Sequence, residues 1–382
     1  MTTITANSAR RSTWLIGLAT AFSLLGDQVL YSVLPVYYTD LGITPVQVGI
    51  LLSANRWVRL LTNELAHRSS GVSTQRLLFV LAFALGCVTT FCYVVTSLFV
   101  VLLAARLAWG LSWSYIRHFG VQSMMEDVQA TRAGWTMGLY NGISRSGSVA
   151  GLFGGAVAVD VYGFTVGVVM LGVISLLSIP LGYLGFRNFS VPVRVDDVRA
   201  EVRVRIAGFV LGIVGPGLVM GTLGAVLNGY LPDAALLSAA TATGALLAVR
   251  YLLDSVAAPW LGAITDRFGL KSAASSLFAA GGLFLIGASF EPALIWFVPA
   301  LLIFFVCGTA LQAGIGGAVG RRGSGSFARY VTASDLGAAC GPLLGWLLVD
   351  YLESAAVGFA VAGVIYLLGA LTALGFTEGE KM

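Results

Sequence analysis

Several ionisable residues of this chain lie inside long apolar runs: Asp27, Arg106, Arg145, Arg250, Asp254 and Asp335. A charge in the middle of a lipid-spanning segment costs about 2.5–3.5 kcal/mol on insertion scales, and so marks a pathway by default. Asp27 is the candidate for proton chemistry. Burial and a nearby Arg106 act on its carboxylate in opposite senses, which lets such a group load and release a proton. Other polar residues keep helical spacing. Asn55, Arg59 and Asn63 are four apart and share one face, with Arg56 beside them. Asn141, Ser144, Arg145 and Ser148 form a second stripe at i, i+3, i+4 and i+7. Arg250 and Asp254 are an i, i+4 pair able to neutralise itself. Trp109 and Trp113 follow Arg106 on nearly its face and offer stacking surface. Arg56, Arg59, Arg106, Arg117, Arg145 and Arg250 are six cations; Asp27, Asp254, Asp335 and Glu64 are four anions. A surplus of two positive charges favours an anionic or zwitterionic small solute, because unpaired buried charge is costly.

Other chemistries find no residues. No G-x-x-x-x-G-K-[ST] is present to cradle a nucleotide. Cys87, Cys92, Cys307 and Cys340 make no C-x-x-C, and two histidines, His67 and His118, do not compose a metal site. No Ser-His-Asp grouping can be argued. No enzyme, cofactor, metal or nucleic-acid partner is expected.

The elements that hold these charges follow from composition. Of 382 residues, 57% are apolar and 10% charged, with a mean hydropathy of +0.88. Soluble domains carry roughly 25% charged residues, so the chain reads as an all-α integral membrane protein. A crossing needs roughly 20 mostly apolar residues. Twelve stretches qualify: 14–38, 46–65, 77–96, 98–119, 134–158, 164–186, 206–230, 235–261, 273–290, 293–318, 327–349 and 354–376. With Met1 inside, the inner segments hold Arg10, Arg11, Arg68, Arg76, Arg132, Arg187, Arg194, Arg199, Arg203, Arg205, Arg267, Lys271, Arg321, Arg322, Arg329 and Lys381. The outer connections hold Asp40, Asp160, Asp233, Glu291, Asp350 and Glu353, without Lys or Arg. The positive-inside rule then places both termini in the cytoplasm, in a bacterial-type inner membrane.

The halves repeat each other. Val29-Leu30-Tyr31-Ser32-Val33-Leu34-Pro35 in span 1 answers Val226-Leu227-Asn228-Gly229-Tyr230-Leu231-Pro232 in span 7. Ser144-Arg145-x-Gly147-x-x-x-Gly151-x-x-x-Gly155 in span 5 answers Ser334-Asp335-x-Gly337-x-x-x-Gly341-x-x-x-Gly345 in span 11. Asp27 aligns with Gly224, so the scaffold itself requires no carboxylate there. Residues 1–186 and 206–382 read as two six-helix bundles, joined by a polar linker over 187–205.

The loop Gly262-Ala-Ile-Thr-Asp266-Arg267-Phe-Gly269-Leu-Lys271 resembles the G-x-x-x-D-R-x-G-R-K signature of the major facilitator superfamily. Arg106-Leu-Ala-Trp-Gly110 is similar to its R-x-x-x-G element, and Gly26-Asp27 with Leu34-Pro35 to the acidic first-helix motif of its proton-coupled exporters. Gly337-x-x-x-Gly341-Pro342-x-x-Gly345 looks like the family's antiporter glycine motif, displaced to span 11. The first-half loop departs, with Asn63 for the Gly and His67 for the Asp, and span 5 has Leu152 where a proline would align with Pro342.

The resemblance implies a monomeric secondary transporter with a solute cavity between its bundles, and proton coupling at Asp27 and Arg106. The cavity candidates are Tyr31, Asn55, Arg56, Trp113, Asn141, Arg145, Asn228 and Gln312. It also implies that spans 2 and 11, and spans 5 and 8, meet, which suggests gate pairs Arg59–Asp335 and Arg145–Asp254, with Arg250 beside the second. At about 1.5 Å per residue, Arg59 and Asp335 lie at similar depths, roughly 10 and 12 Å from their inner ends. The expected activity is proton-coupled efflux of a small organic solute. Uptake or exchange of an organic anion, and a non-transporting receptor or scaffold, are the alternatives.

Overall fold

The structure is a computed structural model. It describes residues 2–71, 73–126, 130–189, 202–231, 237–290, 294–321 and 324–376, with side chains from residue 10 onward except those of 130–134, 259, 264–266 and 324. Twelve helical rods are found among the described residues. They are α1 (Thr2–Tyr37), α2 (Pro45–Arg68), α3 (Gln75–Val95), α4 (Phe99–Met125), α5 (130–162), α6 (Phe164–Gly185), α7 (Val202–Tyr230), α8 (239–268), α9 (Leu270–Phe290), α10 (Leu294–Arg321), α11 (Ser324–Leu352) and α12 (Ala355–Ala373). No strand occurs among these residues. Helices suit lipid because each rod satisfies its own backbone hydrogen bonds. Nine rods are long and apolar enough to cross a membrane. The other three, α2, α5 and α8, are those that carry the polar stripes and the Arg250, Asp254 pair.

Three rods contain a turn of π-helix: Ala150–Gly154 in α5, Ile213–Val219 in α7 and Leu253–Ala257 in α8. The π turn of α5 lies at Leu152, where span 5 lacks the proline that span 11 has at Pro342. Such turns displace main-chain carbonyls and re-aim side chains, often at functional sites.

The chain divides into two compact units. The first comprises Met1–Ile43, Trp57–Val193 and Ala240–Ala248; the second comprises Thr44–Arg56, Arg194–Ala239 and Val249–Met382. This differs from a simple cut at the linker, because two helices are split. The start of α2 belongs with the second unit: Leu343 N–H donates to Ser53 Oγ (3.1 Å), and a Cβ on Gly49 would lie 2.8 Å from that of Trp346. The start of α8 belongs with the first unit: Thr241 donates to Asp160 Oδ2, and Gly244 lies against the Leu152 carbonyl. Of the residues singled out from sequence, Arg194, Arg199, Pro232, Asp233, Glu291, Arg322, Lys381 and most of the linker lie outside the described residues. So do the side chains of Arg132 and Asp266.

Inside each unit the repeated glycines do the same job. In the first unit α5 lies on α1, and a Cβ on Gly147 or Gly151 would meet Ala21 O at 2.1 Å or Leu25 O at 2.8 Å. In the second, α11 lies on α7, and a Cβ on Gly337 or Gly341 would meet Phe209 O at 2.2 Å or Ile213 O at 2.4 Å. Small residues let backbones approach this closely, and in lipid such packing drives association. Around that seam the first unit buries Ile16, Phe79, Phe83, Ile116, Phe119 and Phe186. The second buries Phe278, Phe297, Phe304, Phe359 and Tyr366. Leu77, Leu81, Val88 and Val95 on α3, and Val364, Leu368 and Leu371 on α12, remain exposed. Their helical spacing gives each rod an apolar outer face that suits acyl chains.

Candidate functional site: buried charges in each unit

The first unit holds its two buried charges in direct contact. Arg106 Nη1 donates to Asp27 Oδ1 at 2.5 Å, and the side chains are 1% and 5% exposed. Gln28 Nε2 donates to Asp27 Oδ2 at 2.9 Å, so both carboxylate oxygens are engaged. Arg106 Nη2 reaches Tyr31 Oη at 3.4 Å, and its guanidinium carbon lies 5.7 Å from the centre of that ring. Tyr93, also buried, stands within the field of both charges. Tight neighbours fix the pair. A Cβ on Gly26, next to Asp27, would fall 2.1 Å from Thr90 Oγ1, and one on Gly86 would fall 2.8 Å from the Trp109 ring. Trp113 packs on Trp109, ring centres 6.2 Å apart. An arginine and a carboxylate held this way are stable as a pair and costly when one partner is neutralised.

The second unit arranges its charges differently. Arg250 and Asp254 do not form the i, i+4 pair that their spacing suggests, because the π turn Leu253–Ala257 begins between them and changes the register. Asp254 Oδ1 instead accepts from Thr309 Oγ1 at 2.6 Å. Arg250, 7% exposed, points its Nη1 at Met220 Sδ (3.7 Å), a weak acceptor, with its guanidinium 5.8 Å from the Tyr251 ring centre. Both residues line a small pocket of about 10 Å³, room for about one water, together with Gly215, Phe304, Phe305, Gly308, Thr309, Gln312 and Tyr366.

Arg56 has a structural task in the second unit. Its Nη1 donates to Pro216 O at 2.7 Å and Ala338 O at 2.6 Å. Ala338 is four residues before Pro342, whose ring nitrogen has no hydrogen to return. The Pro216 carbonyl is freed because Met220 N–H turns to Gly215 O in the π turn. Arg56 therefore covers two carbonyls orphaned by broken helices. The sequence marks Ala338 as orphaned but does not say which cation covers it.

The remaining candidates spread over both units. Tyr31 and Asn55 are buried, while Asn141 and Asn228 are exposed. Arg59 and Arg145 belong to the first unit, and Asp335 to the second. Gln312 lines the small pocket just described. In the loop after α8, Gly269 has φ of 81°, a left-handed backbone that glycine adopts without cost. This lets α9 start directly at Leu270, with Lys271 in its first turn and Gly262 and Arg267 on the helix before it. The first half replaces that device. A one-turn 3₁₀ segment, Ser69–Gly71, closes α2. His67 stands edge-on to His118, ring centres 5.6 Å apart, and His118 Nε2 is 2.8 Å from Ser70 Oγ. Nearby, Gln75 Nε2 donates to Ser70 O (2.6 Å) and Phe189 O (3.0 Å), pinning the chain after α6. No sequence signal singled out Gln75, since a lone glutamine at a helix start reads as solvated.

A helical membrane protein with two internally similar units and buried ionised groups belongs to the class of polytopic carriers. The chain belongs to the Major Facilitator Superfamily, whose family model matches residues 16–204. It is 29% identical over 161 residues to the class B tetracycline resistance protein of Escherichia coli, and 30% identical over 186 residues to the class H protein of Pasteurella multocida. These matches take in 39% and 45% of this chain but only 37% and 43% of those relatives' own lengths. Among solved structures, a bacterial homologue of the human lysosomal transporter Spinster, inward-facing and unoccupied, has the same fold. It gives a TM-score of 0.74 at 12% identity, covering 96% of this chain and 98% of that one.

Proposed function

We propose that the chain is a secondary transporter of the inner membrane, both termini cytoplasmic, which expels a small organic solute in exchange for protons. The observation that carries this reading is the enclosed Asp27–Arg106 pair. When Asp27 is ionised it neutralises Arg106. When it takes a proton, Arg106 is left needing another acceptor, at a cost of several kcal/mol for an uncompensated buried charge. Protonation at one residue thus changes what the surrounding helices and any bound solute must supply. Tyr31 and Tyr93, both against Arg106, are the side chains placed to respond. Outward direction is supported by the relatives named for tetracycline resistance, and inner-membrane topology by the distribution of arginine.

The test uses everted membrane vesicles with an acid interior, the chain expressed, and tetracycline as first probe. Adding the drug is expected to release interior acid with the native chain, and Asp27→Asn is expected to abolish that release. Equal proton movement in Asp27→Asn would remove the carboxylate from coupling.

A further inference from the structure

We infer that Gln28 is a positioning residue for the proton at Asp27: its amide gives a hydrogen bond to the carboxylate and, once turned over, takes one from the carboxylic acid. The inference rests on the proton exchange proposed above and names the side chain that answers it. Gln28 Nε2 donates to Asp27 Oδ2 at 2.9 Å, and the two residues are 7% and 5% exposed. The other end of the amide, Oε1, is buried without a hydrogen-bond partner among the described residues. An unmet buried acceptor costs stability, and a leucine of similar size would leave none. The amide therefore does more than fill space. The internal repeat agrees. Asp27 aligns with Gly224 and Gln28 with Ala225, so the half without the carboxylate has no amide beside that position either.

The chemistry follows from the two ends of the amide. Asp27 Oδ1 faces the Arg106 guanidinium, a donor that stays charged. An arriving proton therefore bonds to Oδ2, on the side that Gln28 holds. Nε2 would then meet an O–H, donor against donor. Half a turn about the last side-chain bond of Gln28 brings Oε1 to the same place, where it accepts from the new O–H. That torsion is soft and roughly two-fold, and the two ends of the amide are nearly equal in size, so the turn asks for no new space. The rest of the side chain is held. A Cβ on Gly151 would lie 2.9 Å from that of Gln28, so α5 packs directly on its stem and confines movement to the amide. Among the described residues, the charged and titratable groups at the pair are Arg106 from α4, Tyr93 from α3 and Tyr31 from α1. The two tyrosines answer Arg106, whereas Gln28 answers Asp27. A leucine at position 28 would serve neither form of the carboxyl group.

The test is infrared difference spectroscopy, acid minus neutral, on the purified full chain, with the glutamine side-chain carbonyl isotopically labelled in a parallel sample. The carboxylic band of Asp27 is the one missing from Asp27→Asn. In the native chain that band is expected to rise together with a shift of a labelled glutamine carbonyl. Gln28→Leu should lose the glutamine shift and move the Asp27 band to higher frequency, as for an acid whose O–H no longer has an acceptor. Gln28→Met, apolar but more pliant, should do the same, and the labelled native sample decides the matter even if neither variant folds. A glutamine that only packs would move neither band. An Asp27 band that rises without a glutamine shift, or that keeps its frequency in both variants, would overturn the role of Gln28 and leave proton exchange at Asp27 standing. No Asp27-dependent band at any pH where the chain stays folded would overturn both.

Discussion

The two units use one frame and two charge plans. In each, a glycine-lined helix lies on another at backbone distance, α5 on α1 and α11 on α7. Upon that frame the first unit buries a contact ion pair, Asp27 with Arg106, whose carboxylate oxygens are both occupied. The second unit buries Arg250 against a sulfur and turns Asp254 to a threonine, with a water-sized pocket at hand. The difference teaches that packing and chemistry sit on separate residues. Duplicated glycines preserve the helix seam, while Asp27 aligns with Gly224, so the repeated seam itself requires no carboxylate there. A satisfied pair suits a proton switch, which must be stable in one state and costly in the other.

The comparison can be broken most severely at the shared frame. Valine at Gly147 would drive a Cβ to 2.1 Å of the Ala21 carbonyl, and valine at Gly337 to 2.2 Å of the Phe209 carbonyl. Both variants are expected to lose the monodisperse peak in size-exclusion chromatography, because neither backbone can yield. Gly142→Ala, where the Cβ would meet nothing within 4 Å, should fold as well as the native chain or gain up to about 1 kcal/mol from helix propensity. If one half tolerated valine and the other did not, the frame would not be duplicated in energy.

A smaller effect sharpens the charge plans. Arg106→Met or Asp27→Ala alone should cost about 3–5 kcal/mol in thermal unfolding, since each leaves a buried charge without its partner. The double change Asp27→Leu with Arg106→Met should recover most of that loss. Arg250→Met should lie within about 1 kcal/mol of the native chain, because no carboxylate among the described residues is bound to it. Equal losses at Arg106 and Arg250 would erase the distinction between the two units.

Much of this was legible in the residues. The apolar runs became helical rods, nine of them, among the described residues, long and apolar enough to cross a membrane, because internal backbone bonding leaves little choice in lipid. The glycine repeat gave the same helix seam twice, and Asp27 with Arg106 did come together. What was hidden lies in the π turns. No local pattern distinguishes an i→i+5 bond from i→i+4, so the break between Arg250 and Asp254 reads in sequence as a plain salt-bridge spacing. The task of Arg56 was hidden for a different reason. Its acceptors are far along the chain, at Pro216 and Ala338, and only tertiary packing selects it over its neighbour Arg59. The division of α2 near Arg56 and Trp57 is likewise invisible in a continuous helical pattern.

The claim that Asp27 exchanges its proton as solute is handled is tested most directly on purified protein in weakly buffered solution, with a pH indicator present. Tetracycline is added, and protons released are counted per molecule bound. The account predicts measurable release from the native chain and none, per bound solute, from Asp27→Asn. Release of the same size from that variant would contradict it.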